Sequence, residues 1–104
     1  MPDVLDGPAI DAALRSLPGW EREGNALVRR VELPSFPAAV ELVNRVAEIA
    51  EERNHHPDID IRWRTLVFRC STHSLGQVTD LDVDLARAIS GEIDAAGGRA
   101  ASQR

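Results

Sequence analysis

Tyrosine is absent from this chain, cysteine occurs once, and tryptophan and phenylalanine only twice each. The single cysteine, Cys70, excludes an intramolecular disulfide and suits a reducing compartment. No apolar run approaches the length a membrane span needs. Met1-Pro2-Asp3-Val4-Leu5-Asp6 is acidic rather than basic-then-apolar, so no secretory leader is expected, and the expected location is cytoplasmic. Positive charge is also in deficit. Twelve basic against 17 acidic residues leave a formal net charge of −5, which argues against direct nucleic-acid binding, a function that needs a basic face.

With 104 residues and 43% hydrophobic content there is material for one core and one domain, with an expected radius of gyration of about 13 Å. Residues 1–8 and 97–104 read as flexible ends.

Gly7-Pro8 introduces a short helix with Ile10, Ala13, Leu14 and Leu17 at helical spacing, stopped by Pro18-Gly19. Two extended runs, Trp20 to Glu23 and Ala26 to Leu33, flank Gly24-Asn25 and predict a β-hairpin. Ser35 is a suitable N-cap for a long helix from about Phe36 to Arg53. Its polar stripe runs through Glu41, Asn44, Arg45, Glu48, Glu51 and Glu52. The apolar arc opposite is wide enough to face a sheet on one side and a neighbouring subunit on the other.

Ile59, Ile61 and Trp63 alternate with Asp60, Arg62 and Arg64, and Leu66, Phe68 and Cys70 with Val67, Arg69 and Ser71. Period-two alternation predicts two half-buried strands, with a tight turn at Arg64-Thr65. Thr79 caps a last helix, with Asp82 three residues on in a variant capping box, and Leu85, Ala86, Ile89, Ile93 and Ala96 share its buried face. Gly97-Gly98 ends it, and Arg99 to Arg104 read as a frayed tail. The order α-β-β-α-β-β-α predicts an α+β domain: a four-stranded antiparallel sheet with three helices on one face.

The chemistry concentrates at Asn54-His55-His56-Pro57-Asp58, which holds two of the three histidines. Imidazole alone, with an unperturbed pKa of ~6.5, both gives and takes protons near neutrality. Pro57 biases His56 toward extended geometry, so adjacent rings diverge and can touch a ligand from two sides. His73 ends the strand that pairs with the one starting after Pro57, so the second hairpin returns it toward His55 and His56. Asp82 precedes Leu85 and Ala86 by one turn and faces inward with them. It can orient an imidazole or act as a helix-capping acid. Asp80 and Asp84 read as surface charges.

Three imidazoles could in principle hold zinc, but adjacent histidines diverge and Cys70 alternates onto the core face, so no metal is expected. Nucleophilic catalysis lacks a candidate: Cys70 is expected to be buried, and no serine lies in a Gly-rich elbow.

Glu51, His55, His56, Pro57, Trp63, His73 and Asp82 together resemble the active-site pattern of the pterin-4a-carbinolamine dehydratase family. Leu17-Pro18-Gly19-Trp20, Thr72-His73 with Gly76 and Thr79, and Leu85-Ala86 extend the resemblance over about residues 10 to 93. What it implies is a hydro-lyase, a 4a-hydroxytetrahydrobiopterin dehydratase, that eliminates water from a 4a-hydroxytetrahydropterin to give the quinonoid dihydropterin. His55, His56 and His73 would be catalytic. Glu51, Pro57, Trp63 and Asp82 would bind or support the substrate, whose stacking would fall to Trp63, Trp20 or Phe36. It implies no metal or redox cofactor, a homodimer or homotetramer, and either a link to an aromatic amino-acid hydroxylase or action on a related pterin such as a molybdopterin-type compound. The alternative within the same fold is a non-catalytic module for dimerisation or transcriptional coactivation.

Overall fold

A computed structural model describes residues 2–101. Helix α1 (Gly7–Leu14) starts at Asp6, whose carboxylate accepts the Ala9 N–H, and carries a proline in its first turn. Strands β1 (Trp20–Glu23) and β2 (Ala26–Glu32) form the first hairpin, with Glu23 opposite Ala26. Only two residues close it, and Gly24 takes the positive φ (58°) that the first central position requires. Helix α2 (Phe36–Arg53) is capped by Ser35, which accepts from Ala38 N–H.

Strands β3 (Asp58–Arg62) and β4 (Thr65–Cys70) form the second hairpin, and helix α3 (Asp80–Ala95) follows. The sheet order is β1-β2-β4-β3, antiparallel throughout. The predicted α+β architecture and element order are those observed. The radius of gyration is 13.0 Å.

One face of the sheet makes the core. Leu27 and Val31 of β2 stand opposite Cys70 and Leu66 of β4, and Phe68 opposite Ile59 of β3. These side chains pack with Ile10 of α1, with Ala39, Leu42 and Val46 of α2, and with Leu85, Ile89 and Ile93 of α3. Their helical spacings put each apolar stripe toward the sheet. Phe36 and Val40, on the other side of the α2 arc, remain exposed. On the opposite sheet face Glu23 accepts from Arg30 at 2.7 Å and from Arg69 at 3.5 Å. Among the described residues no helix is long and apolar enough to cross a membrane.

Three details differ from the sequence expectation. The second turn falls at Trp63-Arg64, because Arg62 pairs with Thr65, and Trp63 takes a left-handed φ of 55°. The expected frayed tail contains a two-residue strand, β5 (Arg99–Ala100), antiparallel to β2 through Val31 and Glu32. Gly98 permits this return: a Cβ there would come within 2.7 Å of Ile93 Cγ2 and Val31 Cγ2. At the other end, Leu5 N–H donates to Val78 O and Asp80 N–H to Asp3 O, tying residues 3–5 to the loop before α3. The rest of the expected flexible ends, residue 1 and residues 102–104, lies outside the described residues.

Candidate active site

The end of α2 aims the first histidine. Asn54 adopts the left-handed conformation (φ 49°, ψ 42°), its N–H donating to Glu51 O and the next one, of His55, to Ala50 O. This is the Schellman arrangement, which satisfies the last helical carbonyls and turns the chain sharply. His55 therefore leaves the helix against the body of the domain. Its side chain is only 11% exposed, whereas that of His56 is 49% exposed.

Each imidazole meets a carboxylate. His55 Nε2 lies 2.6 Å from Asp82 Oδ1, and His56 Nε2 lies 2.5 Å from Glu51 Oε2, one helical turn back. His73, 60% exposed in the turn after β4, has its Nε2 3.7 Å from Asp58 Oδ1. The Asp58 opposite Arg69 in the ladder thus bridges the start of β3 to the turn after β4. The fold brings His55, His56, His73, Glu51, Pro57 and Asp82 to one end of the β3–β4 hairpin. The His55–Asp82 bond links the end of α2 to α3, and the His73–Asp58 pair links β3 to the turn after β4.

Asp82 is the buried member. No surface of it is accessible, and its Oδ2 accepts from Thr79 N–H and Thr72 Oγ1–H, each at 2.9 Å. The two roles considered for it coexist: one oxygen completes the capping box of α3, the other holds His55. Burying a carboxylate is costly unless its lone pairs are used, and here three donors use them.

Trp63 does not join the group. It stands at the hairpin tip, 70% exposed and stacked by the Arg64 guanidinium at 4.6 Å. The five residues of β3 put it about 17 Å from Asp58. Phe36 begins the 18-residue helix that His55 follows, about 27 Å away along it. Trp20 is buried in β1, its Nε1–H donating to Ser90 Oγ at 2.8 Å. Within one chain, none of the three aromatic candidates reaches the histidines.

Cys70 is fully buried at the end of β4. Burial pushes its thiol well above the ordinary cysteine range, and the nearby charges of Asp82 and Asp58 push it the same way. It is not poised as a nucleophile. Among the described residues no group of three or more His, Cys, Asp and Glu side chains converges as a metal-ligand set. A cavity of about 290 Å³ between α2 and α3, walled by Glu41, Arg45 and Glu92, contains none of the site residues.

Sequence reasoning passed over Thr72 as a flanking match and Asp58 as the residue after the proline. Their signal was positional. Thr72 alternates inward beside an outward His73, and Asp58 opens the strand next to that turn.

The fold and these imidazole–carboxylate pairs define an α+β domain with a histidine cluster at one end of its second hairpin. Similarity to known proteins gives its family. A family profile described as "Pterin 4 alpha carbinolamine dehydratase" matches residues 3–91. A Nocardia farcinica protein named "Putative pterin-4-alpha-carbinolamine dehydratase" is 55% identical over 87 residues, 84% of this chain and 92% of that one. A protein of the same name from Mycobacterium avium is 56% identical over 88 residues, 85% and 94% of the two chains.

The crystal structure of a "transcriptional coactivator/pterin dehydratase" from Brucella melitensis superposes with a TM-score of 0.84 at 28% identity, covering 86% of this chain and 98% of that one. A pterin dehydratase-like RuBisCO assembly factor of the alpha-carboxysome shares the fold, with a TM-score of 0.50 at 19% identity over 73% and 83% of the chains. This chain belongs to the pterin-4a-carbinolamine dehydratase family.

Proposed function

We propose that the protein is a 4a-hydroxytetrahydropterin dehydratase working by histidine general acid–base catalysis. The observation that carries this reading is the set of three imidazoles, each on its own carboxylate, at one end of a hairpin in a chain of this family. The reaction needs little more. Hydroxide is a poor leaving group at C4a until it is protonated. As the C4a–O bond breaks and water departs, loss of the N5 proton lets the nitrogen lone pair form the N5=C4a double bond.

One group donates a proton and another accepts one, so the charge balances and nothing is oxidised or reduced. Each such group contributes roughly 10²–10⁴-fold. His55 and His56 take these two roles. His73 binds the pterin or relays a proton, Asp82 orients His55 and Glu51 orients His56. Pro57 holds the doublet apart. The enzyme works in the cytoplasm as a homo-oligomer and recycles the pterin of an aromatic amino-acid hydroxylase.

The test is the dehydration rate of freshly generated carbinolamine, above the spontaneous rate, for wild type and for His55→Ala, His56→Ala and His73→Ala. Wild type accelerates the reaction and the first two variants lose most of that acceleration. Three variants with wild-type rates overturn the assignment.

A second reading is favoured by the exposed Phe36 and Val40 on α2 and by the similarity to the Brucella protein, which is named as a coactivator as well as a dehydratase. In it, α2 is a docking face for a protein and the histidines are dispensable. Wild-type dehydration above the spontaneous rate separates the readings, and a Phe36→Asp, Val40→Asp double variant tests the docking face. It disrupts assembly in sedimentation under either, but retention of dehydration at low concentration places catalysis within the single chain.

A further inference from the structure

Four polar groups lie in line behind His55. Leu81 N–H donates to Thr79 Oγ1 at 3.2 Å, Thr79 Oγ1 is 2.7 Å from Thr72 Oγ1, and Thr72 Oγ1 is 2.9 Å from Asp82 Oδ2. Asp82 Oδ1 then meets His55 Nε2. The direction of the chain follows from which atoms can donate. An ionised carboxylate only accepts, so Thr72 gives its hydroxyl proton to Asp82. Thr72 Oγ1 accepts in turn from the Thr79 hydroxyl, whose own oxygen is occupied by the Leu81 N–H. Every proton in the line is committed.

The backbone of Thr72 is held equally firmly. Its N–H donates to Gln77 O at 2.9 Å, and its carbonyl accepts from Leu75 N–H at 3.0 Å and Gly76 N–H at 2.8 Å. The residue is nearly inaccessible, so it touches no ligand directly.

We infer that Thr72 is a positioning residue of the dehydratase. Its hydroxyl locks Asp82 as an acceptor toward His55, which fixes the His55 proton on Nε2 and leaves Nδ1 as the nitrogen that exchanges protons with the pterin. The inference rests on the dehydratase reading for the reaction, but the tautomer itself is independent of it. The carboxylate has two oxygens. Thr72 and Thr79 N–H saturate one of them, so the imidazole has a single oxygen to face and a single orientation to take. Without Thr72, Oδ2 keeps only the backbone donor and the carboxylate can rotate.

The experiment is ¹⁵N NMR of the imidazole rings, with kinetics, on the full chain. Three histidines make the spectrum assignable by single replacement. In wild type the neutral His55 ring shows a protonated, hydrogen-bonded Nε2 and a bare Nδ1. Thr72→Val mixes the tautomers and lowers kcat about tenfold or more with KM little changed, the scale of one lost hydrogen bond to a charged group. Thr72→Ser restores both readouts.

A wild-type His55 ring protonated at Nδ1, or with mixed tautomers, overturns the inference without any variant. So does a folded Thr72→Val with unchanged tautomer and kcat. A wild type that shows the Nε2–H tautomer but no dehydration strikes the dehydratase reading alone and leaves the tautomer assignment standing.

Discussion

Asp82 Oδ1 lies 2.6 Å from His55 Nε2 across a sequence separation of 27 residues, joining the first turn of α3 to the turn that follows α2. Two helices that pack side by side over the sheet are thereby pinned at the end that carries the three histidines. The same carboxylate completes the capping box that Thr79 begins, so one group serves both the pin and the start of its own helix.

Asp82→Asn separates the charge from the shape. Its amide oxygen can still accept from Thr72 and Thr79, which turns the NH₂ toward His55 and forces that ring to present an acceptor. The expected loss is about 10²-fold in kcat, with a stability cost of roughly 1–3 kcal/mol. Steady-state kinetics beside a urea denaturation series measures both. Equal kcat for variant and wild type removes Asp82 from the mechanism.

Cys70 should resist thiol reagents as long as the protein is folded. Burial and the two neighbouring carboxylates hold its thiol far up, so almost no thiolate exists near neutrality and no reagent reaches it. At about pH 8, labelling by an aromatic disulfide follows unfolding and becomes immediate in urea. Rapid labelling of the native protein contradicts the packing of β4.

Glu23 contributes to the acid limb of stability. The Arg30 hydrogen bond, helped by the Arg30 and Arg69 charges, holds its carboxyl below the usual range. A depressed carboxyl contributes stability that is complete above its unfolded pKa and disappears as pH falls through the lower folded value. Wild type should therefore melt above Glu23→Gln at about pH 7, with the gap closing toward about pH 3. The partial exposure of the cluster keeps the gap small, and salt narrows it further. A gap that widens on acidification refutes this account.

Much of the architecture was legible because its signals are local. Alternation at Leu66, Phe68 and Cys70, the Ser35 and Thr79 caps and the two-residue Gly24-Asn25 loop each depend on neighbours in sequence, and each element stands where those signals put it. The site was legible to the extent that hairpin geometry is local too: His73 returns to the start of β3 and meets Asp58. Trp63 was misplaced because alternation continues unbroken through Arg64, while the turn is chosen by cross-strand register, a long-range property. Strand β5 was missed for a similar reason. Two residues carry no periodicity, and their pairing depends on the absence of a Cβ at Gly98 against Ile93 and Val31.

The double duty of Asp82 bears on how this fold is inherited. A pool of variants selected only for folding, and never for turnover, would still discard those that lose this carboxylate, since α3 would lose half of its capping box and a buried pair its partner. Nothing comparable protects the half-exposed imidazoles of His56 and His73. In a relative with no need of the proposed pterin chemistry, Asp82 should therefore outlast His56 and His73, and the change of trade would be recorded at those two positions.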